Sequence, residues 1–313
     1  MIGIKSSHLK SRGRLLMQEM YRKRNYYVFI LPAVAFYLVF SYFPMYFLQI
    51  AFRDYRVTRP LDASTWAGFK YFGQLFAASG FWRAFGNTLT ISLGKLVFSW
   101  PLPILMALML NEIQSNRLRR FYQTVVYLPH FISWVVISGI IYNLTAMPEG
   151  LFNRLAVLMG GKPNVILGDP TLFQPILILS EMWKESGWGT IVYLAAITRI
   201  GSDLYEAARI DGATRFQQVL HVTLPGIKDI VIVMLILRVG NILNVGFEQV
   251  LVLQNDMVLK VGDTLDTYVW RIGLQDGRFS YAAAAGLFKA VIATVLIFGA
   301  DRVSKRFGES GLL

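Results

Sequence analysis

Glu181, Lys184, Glu185 and Trp188 stand at i, i+3, i+4 and i+7 of one apolar stretch, which places them on one helical face. A later apolar stretch holds Arg238, Asn241, Asn244 and Glu248, the last three at i, i+3 and i+7. Lys95 and Lys289 each sit alone in a further apolar run. Ionisable groups inside such runs are costly, so by default they are candidates for function. The chemistry they fit is recognition: amides and carboxylates bond hydroxyls, and the flat faces of Trp183 and Trp188 stack on C–H surfaces. Sugars suit that combination. The same residues also have purely structural uses. Lys184 can pair with Glu185, some groups can sit at a membrane edge, and the two tryptophans can serve as packing or interfacial residues.

Catalysis is poorly provided for. Cysteine is absent, which excludes disulfides, thiolate metal sites and a Cys nucleophile. Three scattered histidines, His8, His130 and His221, make a metal site improbable, and none is assigned. No catalytic residues are assigned either. The chain has no Gly-x-x-x-x-Gly-Lys-Ser/Thr, and Gly160-Gly-Lys-Pro is not one.

The elements that must position these residues follow from composition. The chain is 55% hydrophobic and 16% charged, against about 25% charged in an ordinary soluble domain. A helix needs about 20 apolar residues to cross a bilayer. Six stretches qualify, near 26–50, 88–110, 122–144, 171–197, 225–249 and 281–300. They predict an all-α membrane protein of six spans, with kinks at Pro32, Pro44, Pro101 and Pro103. The net charge of +12 reads as membrane-flanking Lys and Arg rather than a nucleic-acid surface. Counting basic residues gives seventeen on one side, led by Lys5 to Arg24, and ten on the other. Both termini are therefore expected in the cytoplasm. Segment 51–83 is rich in aromatic residues and predicts a short interfacial helix. Segment 250–280 carries Asp256, Asp263, Asp266 and Asp276, either to touch a partner or as a solvated loop. The expected organisation is a basic segment at 1–25, a first span and external loop at 26–84, a transport core at 85–305 and a tail at 306–313.

The loop after the fourth span, residues 201–225, reads as two short helices. Asp203 and Glu206 have N-cap and N3 spacing, and Asp211-Gly212 is a stop. Thr214 and Gln217 repeat the capping spacing, and Pro225 fits the first turn of the fifth span. Ala207 and Ala208 keep one face thin, as docking into a partner's groove requires. A helical hairpin that only joins two spans would show the same capping.

Glu206-Ala207-Ala208, Gly212, Val222 and Leu224-Pro225 resemble the EAA motif of binding-protein-dependent ABC importer permeases. Asp211 and Ala213 match its Asp-Gly-Ala core. Val222 stands where Ile is usual, and Gly201 where many members have Pro. Phe85-Gly-Asn87-Thr88-Leu89, Tyr127-Leu-Pro129-His-Phe-Ile-Ser-Trp134 and Trp183-Lys-Glu-Ser-Gly187-Trp188-Gly189 are similar to the oligosaccharide branch, of the maltose and alginate type. The resemblance implies a six-helix permease subunit of a bacterial cytoplasmic membrane, paired with a second, homologous permease. It also implies two ATPase subunits, which use ATP and Mg, and an extracytoplasmic solute-binding protein. The chain itself would bind no cofactor and no nucleic acid. Glu206, Ala207, Ala208, Asp211, Gly212 and Ala213 would form the coupling helix. Two rivals stand beside this reading: an ion-coupled secondary transporter built on the intramembrane charges, and a membrane enzyme acting on lipid-linked sugars.

Overall fold

The computed structural model describes residues 22–306; Lys5, Lys10, Arg12 and Arg14 of the basic cluster, and the tail from 307 onward, lie outside the described residues. Helices run in sequence throughout, and no strand occurs among the described residues beyond one isolated bridge between Arg53 and Trp66. Among the described residues, three helices are long and apolar enough to cross a membrane: α1 (Arg24–Phe52), α3 (Ser79–Asn111) and the last, over Phe279–Val303. The count rises to five if each of two bent pairs forms one span. The 28-residue helix α7 (Pro170–Ile197) is long enough as well, but Glu181, Lys184 and Glu185 interrupt its apolar run.

Proline chemistry explains the irregularities of the long helices. Pro101 and Pro103 lack the amide that an α-turn needs, and α3 absorbs them through a π-turn at Lys95–Ser99 without breaking. In α1, Pro32 lies inside regular helix, and a π-turn at Leu38–Tyr42 precedes Pro44. No residue of the α1 membrane window is buried, so its apolar surface faces outward from this chain. The aromatic segment after α1 contains α2 (Lys70–Ala77), as expected. There Tyr71 donates to Asp54, and Lys70 pairs with Asp54 at 2.9 Å. The Tyr71 hydrogen bond first, then that of Lys70, hold the Asp54 carboxyl below its ordinary pKa.

The third expected span, 122–144, is not one helix. Helix α4 (Asn116–Phe131) meets α5 (Trp134–Thr145) at 95°. Pro129 tightens the end of α4 into a 3₁₀ turn, the backbone extends through Ile132 and Ser133, and the Ser133 hydroxyl accepts from Val136 N at 3.3 Å to start α5. A short α6 (Leu151–Leu158) follows before α7.

The fifth expected span is also corrected. After α8 (Ser202–Ile210), α9 (Arg215–Gly226) carries Pro225 near its end rather than at the start of the span. The chain bends by 62° into α10 (Lys228–Gly240). α10 stops at Gly240, and a turn leads to Gly246, whose φ of +85° is left-handed, before α11 (Phe247–Leu253) begins. The segment 225–249 is thus three pieces.

Short α12 (Leu265–Trp270) and the long α13 (Phe279–Arg306) complete the fold. The acidic segment 250–280 divides. Asp263 is buried against Arg271, and Asp266 pairs with Lys289 of α13, so these two carboxylates are internal, while Asp256 and Asp276 are exposed. Three apolar clusters hold the assembly. One joins Ile91, Phe173, Leu177 and Val250. Another joins Phe81, Leu265, Tyr268 and Tyr281. The third joins Ala107, Leu110, Tyr193, Ile197 and Ile227. α7 contributes to the first and third, so it runs through the centre of the molecule.

Candidate functional site

Two regions carry the residues singled out by sequence. In the interior, α3, α7 and α10 converge on a buried crossing of charges. Lys95 sits in the π-turn of α3 with its side chain 2% exposed. Its ammonium meets three acceptors: the Val245 carbonyl at 2.7 Å, Gln249 Oε1 at 2.6 Å and Glu181 Oε2. An ammonium has three protons to donate and no lone pair, which matches the three acceptors. Arg238, in the last turn of α10, donates from Nη2 to the other Glu181 oxygen at 2.6 Å. Gln249 is fully buried and donates to the Leu177 carbonyl at 2.7 Å and Ser180 Oγ at 2.9 Å.

This crossing explains why α10 can end in the interior. Breaking a helix exposes carbonyls that water would otherwise satisfy. Here Lys95 takes the Val245 carbonyl and Ser92 takes that of Ile242, both from α3. The helical face proposed for Asn241, Asn244 and Glu248 therefore does not exist. Asn241 and Asn244 lie on the turn and Glu248 on α11, because Gly240 and Gly246 interrupt the helix between them.

A cavity of about 530 Å³ opens beside the crossing. Glu181, Glu185, Trp188, Arg238, Asn241 and Asn244 all line it. A second cavity, of about 360 Å³, is lined by His130, Trp134, Lys184, Glu185 and Glu248. Trp183 is 53% exposed and lines neither. Between the cavities His130 stacks flat on Trp188, with ring centroids 4.5 Å apart, and its Nδ1 lies 2.8 Å from Glu185. Lys184 donates to the His130 carbonyl at 2.6 Å and lies 3.3 Å from Glu185. The i, i+3, i+4, i+7 face of α7 is thus real, but it serves two cavities. α4 approaches α7 so closely that a Cβ at Gly187 would strike the Val126 carbonyl.

Sequence reasoning noted Lys95 and Arg238 separately but missed that Glu181 joins them. It also missed His130 and Gln249. The available signal was that two cations and one carboxylate in separate apolar runs have little else to pair with.

The second region is the loop 201–225. α8 ends as the Asp211-Gly212 pattern predicts. Ala213 N donates to the Ala208 carbonyl at 2.9 Å and Gly212 N to that of Arg209 at 3.1 Å, a Schellman ending around Gly212 at φ +79°. Thr214 and Gln217 form the expected capping box of α9. Asp203 is not the N-cap of α8: Gly201 is, and Asp203 lies in the first turn, where its charge still favours the helix dipole. Glu206, Ala207, Asp211 and Gly212 are exposed, with Ala208 and Ala213 half-buried. Ile210 at the tip is 87% exposed and Phe216 71%. Tyr205 OH meets Thr223 Oγ1 at 3.0 Å, tying α8 to α9, and Arg215 pairs with Glu112 at the end of α3 at 2.8 Å.

Comparison with known proteins assigns this architecture. Residues 99–309 match the family described as binding-protein-dependent transport system inner membrane component. The polygalacturonan/rhamnogalacturonan transport system permease protein YteP of Bacillus subtilis (strain 168) is 41% identical over 303 residues, 97% of this chain and 94% of that protein. Protein LplB of the same organism is 40% identical over 301 residues, 96% and 95% of the two chains. Among solved structures, a bacterial alginate ABC transporter in complex with an alginate pentasaccharide-bound periplasmic protein superposes with a TM-score of 0.87 at 41% identity, covering 95% of this chain and 99% of that one. With motif, fold and relatives in agreement, the chain belongs to the binding-protein-dependent ABC transporter permeases, the inner membrane components of such systems.

Proposed function

We propose that this chain is one of two homologous permeases in an ATP-driven oligosaccharide importer of a bacterial cytoplasmic membrane. In this reading it spans the membrane six times, with both termini in the cytoplasm. α4–α5 and α9–α10 each make one bent crossing, and α7 crosses despite its charges because Lys95 and Arg238 neutralise Glu181. A binding protein delivers substrate from outside, and two separate ATPase subunits bind ATP and Mg. The ion-coupled alternative lacks comparable support, since the relatives are ABC permeases and Glu181 is held by two cations rather than free to relay protons.

The observation that carries the reading is the exposed apolar tip at Ile210, framed by Glu206 and the Schellman turn at Gly212. α8 offers a partner a short rigid knob. The loop is joined directly to α7, whose middle lines the cavity. Nucleotide-driven closure of the ATPases would move α8, and α7 would carry that motion to the cavity as a rigid-body switch. Within the cavity, Asn241 and Asn244 supply amides for hydroxyls and Trp188 supplies a ring face.

Glu206→Arg reverses a charge on the docking face, and Gly212→Asp places a side chain at a left-handed position. Each is expected to abolish sugar uptake, by at least about 100-fold, while membrane levels stay normal; loss of one docking contact of a few kcal/mol gives a change of that order. Normal uptake by both variants at normal levels would reject the coupling role.

A further inference from the structure

Trp188 is braced from one side. His130 lies flat on one face of its indole, with ring centroids 4.5 Å apart and planes 6° from parallel. Phe131 meets the ring edge-on, at 5.8 Å and 84°. Both neighbours belong to the 3₁₀ turn that ends α4. The stacked pair forms part of the wall between the two cavities. Trp188 lines the larger one, and His130 lines the smaller one with Lys184, Glu185 and Glu248. The indole face that His130 leaves uncovered is therefore the face available to a ligand in the larger cavity. His130 is itself fixed. Its Nδ1 lies 2.8 Å from Glu185 Oε2, and a carboxylate only accepts, so Nδ1 donates. Lys184 donates to the His130 carbonyl at 2.6 Å, so ring and backbone are both tied to α7.

An imidazole suits this position because it does two things at once. It offers a flat face to stack and an N–H at its edge to donate, where Phe offers only the first and Gln only the second. Contacts to an aromatic face depend on geometry, so a sugar ring gains from Trp188 only if the indole is held at a fixed angle. From this we infer that His130 is a positioning residue for substrate. It does not line the larger cavity and acts through Trp188, holding the indole so that its free face takes a sugar ring. Glu185 in turn orients His130. The inference rests on the sugar-importer reading above and deepens its account of Trp188.

The test uses the whole transporter with its own binding protein in proteoliposomes. This chain carries His130→Phe, His130→Gln, His130→Ala, Trp188→Ala, or His130→Ala and Trp188→Ala together. The probes are tetrasaccharides of glucose, galacturonate and mannuronate, and the one that the unaltered transporter imports fastest is used throughout. The reading is sugar delivered per ATP hydrolysed, which does not depend on how much transporter assembles. A merely structural loss lowers both rates together and leaves the ratio where it was. His130→Ala and His130→Gln should lower the ratio by about 3- to 10-fold, the worth of an oriented aromatic pair. His130→Phe keeps the stack without the bond to Glu185 and should retain most of it. Trp188→Ala should lower the ratio at least as far as His130→Ala does, and adding His130→Ala to it should change nothing more. Three results would overturn the positioning role and leave the importer reading standing: a ratio unmoved by His130→Ala, a loss that His130→Phe does not recover, or a loss that persists in full beside Trp188→Ala. Import of none of the three sugars, with the ATPase turning over, would instead sink the sugar-importer reading and the role of His130 with it.

Discussion

Arg215 and Glu112 pair at 2.8 Å with side chains 66% and 40% exposed; Lys95 and Glu181 pair with theirs 2% and 11% exposed. The chemistry of the two pairs is the same and the surroundings are opposite. At the loop, water competes for each charge, so a pair there orients two segments at little gain in stability. In the interior Lys95 is shut off from water, and only Arg238 of the crossing is substantially exposed. Each partner there is held because its loss would strand the others, together with the Val245 carbonyl and the Gln249 amide. The loop therefore owes its order to local backbone chemistry, a Schellman turn and a capping box. The crossing owes its order to contacts between residues about 60 to 150 positions apart, such as Lys95 with Val245 and Arg238 with Glu181.

Three substitutions sharpen that contrast. Lys95→Met should have the largest effect, destabilising the purified chain by about 3–5 kcal/mol, as breaking a buried pair does. Thermal unfolding in detergent would show it, and a small shift would mean that the crossing is wetter than its burial indicates. Thr214→Ala removes one capping bond at the start of α9 and should cost about 1 kcal/mol locally. Hydrogen exchange should then quicken at Arg215–Gln218 and stay unchanged in α7. Glu112→Gln should shift unfolding by less than about 1 kcal/mol, the range for exposed pairs. A larger shift would show that the loop is anchored to α3 and not merely oriented by it.

The same contrast governs what could be read from sequence. The loop was legible nearly residue by residue, because Asp211-Gly212 and Thr214-x-x-Gln217 act through their own backbone neighbours. Asp203 was the exception: with Gly201 and Ser202 ahead of it, the helix simply began earlier. α7 and its polar face were legible from periodicity. The breaks in the third and fifth spans were not. Apolar runs give length without shape, and Gly240, Gly246 and Pro129 produce bends only because partners elsewhere satisfy the freed backbone. Lys95 looked like an isolated charge on α3. Its acceptors lie on α7, on α11 and on the turn before it, and no local pattern links them.

The charges on α7 bear on how the chain is made. A helix carrying Glu181, Lys184 and Glu185 mid-length is a poor candidate to enter lipid alone, since each centrally placed charge of this kind costs up to about 3 kcal/mol on insertion scales. Its counterions are supplied in order. Lys95 and the His130 carbonyl belong to segments synthesised before α7, whereas Arg238 arrives only with α10. If the chain spans the membrane six times as proposed, α7 would enter after the helices that supply Lys95 and the His130 carbonyl, and the last cation to reach Glu181 would be Arg238, which lines the cavity.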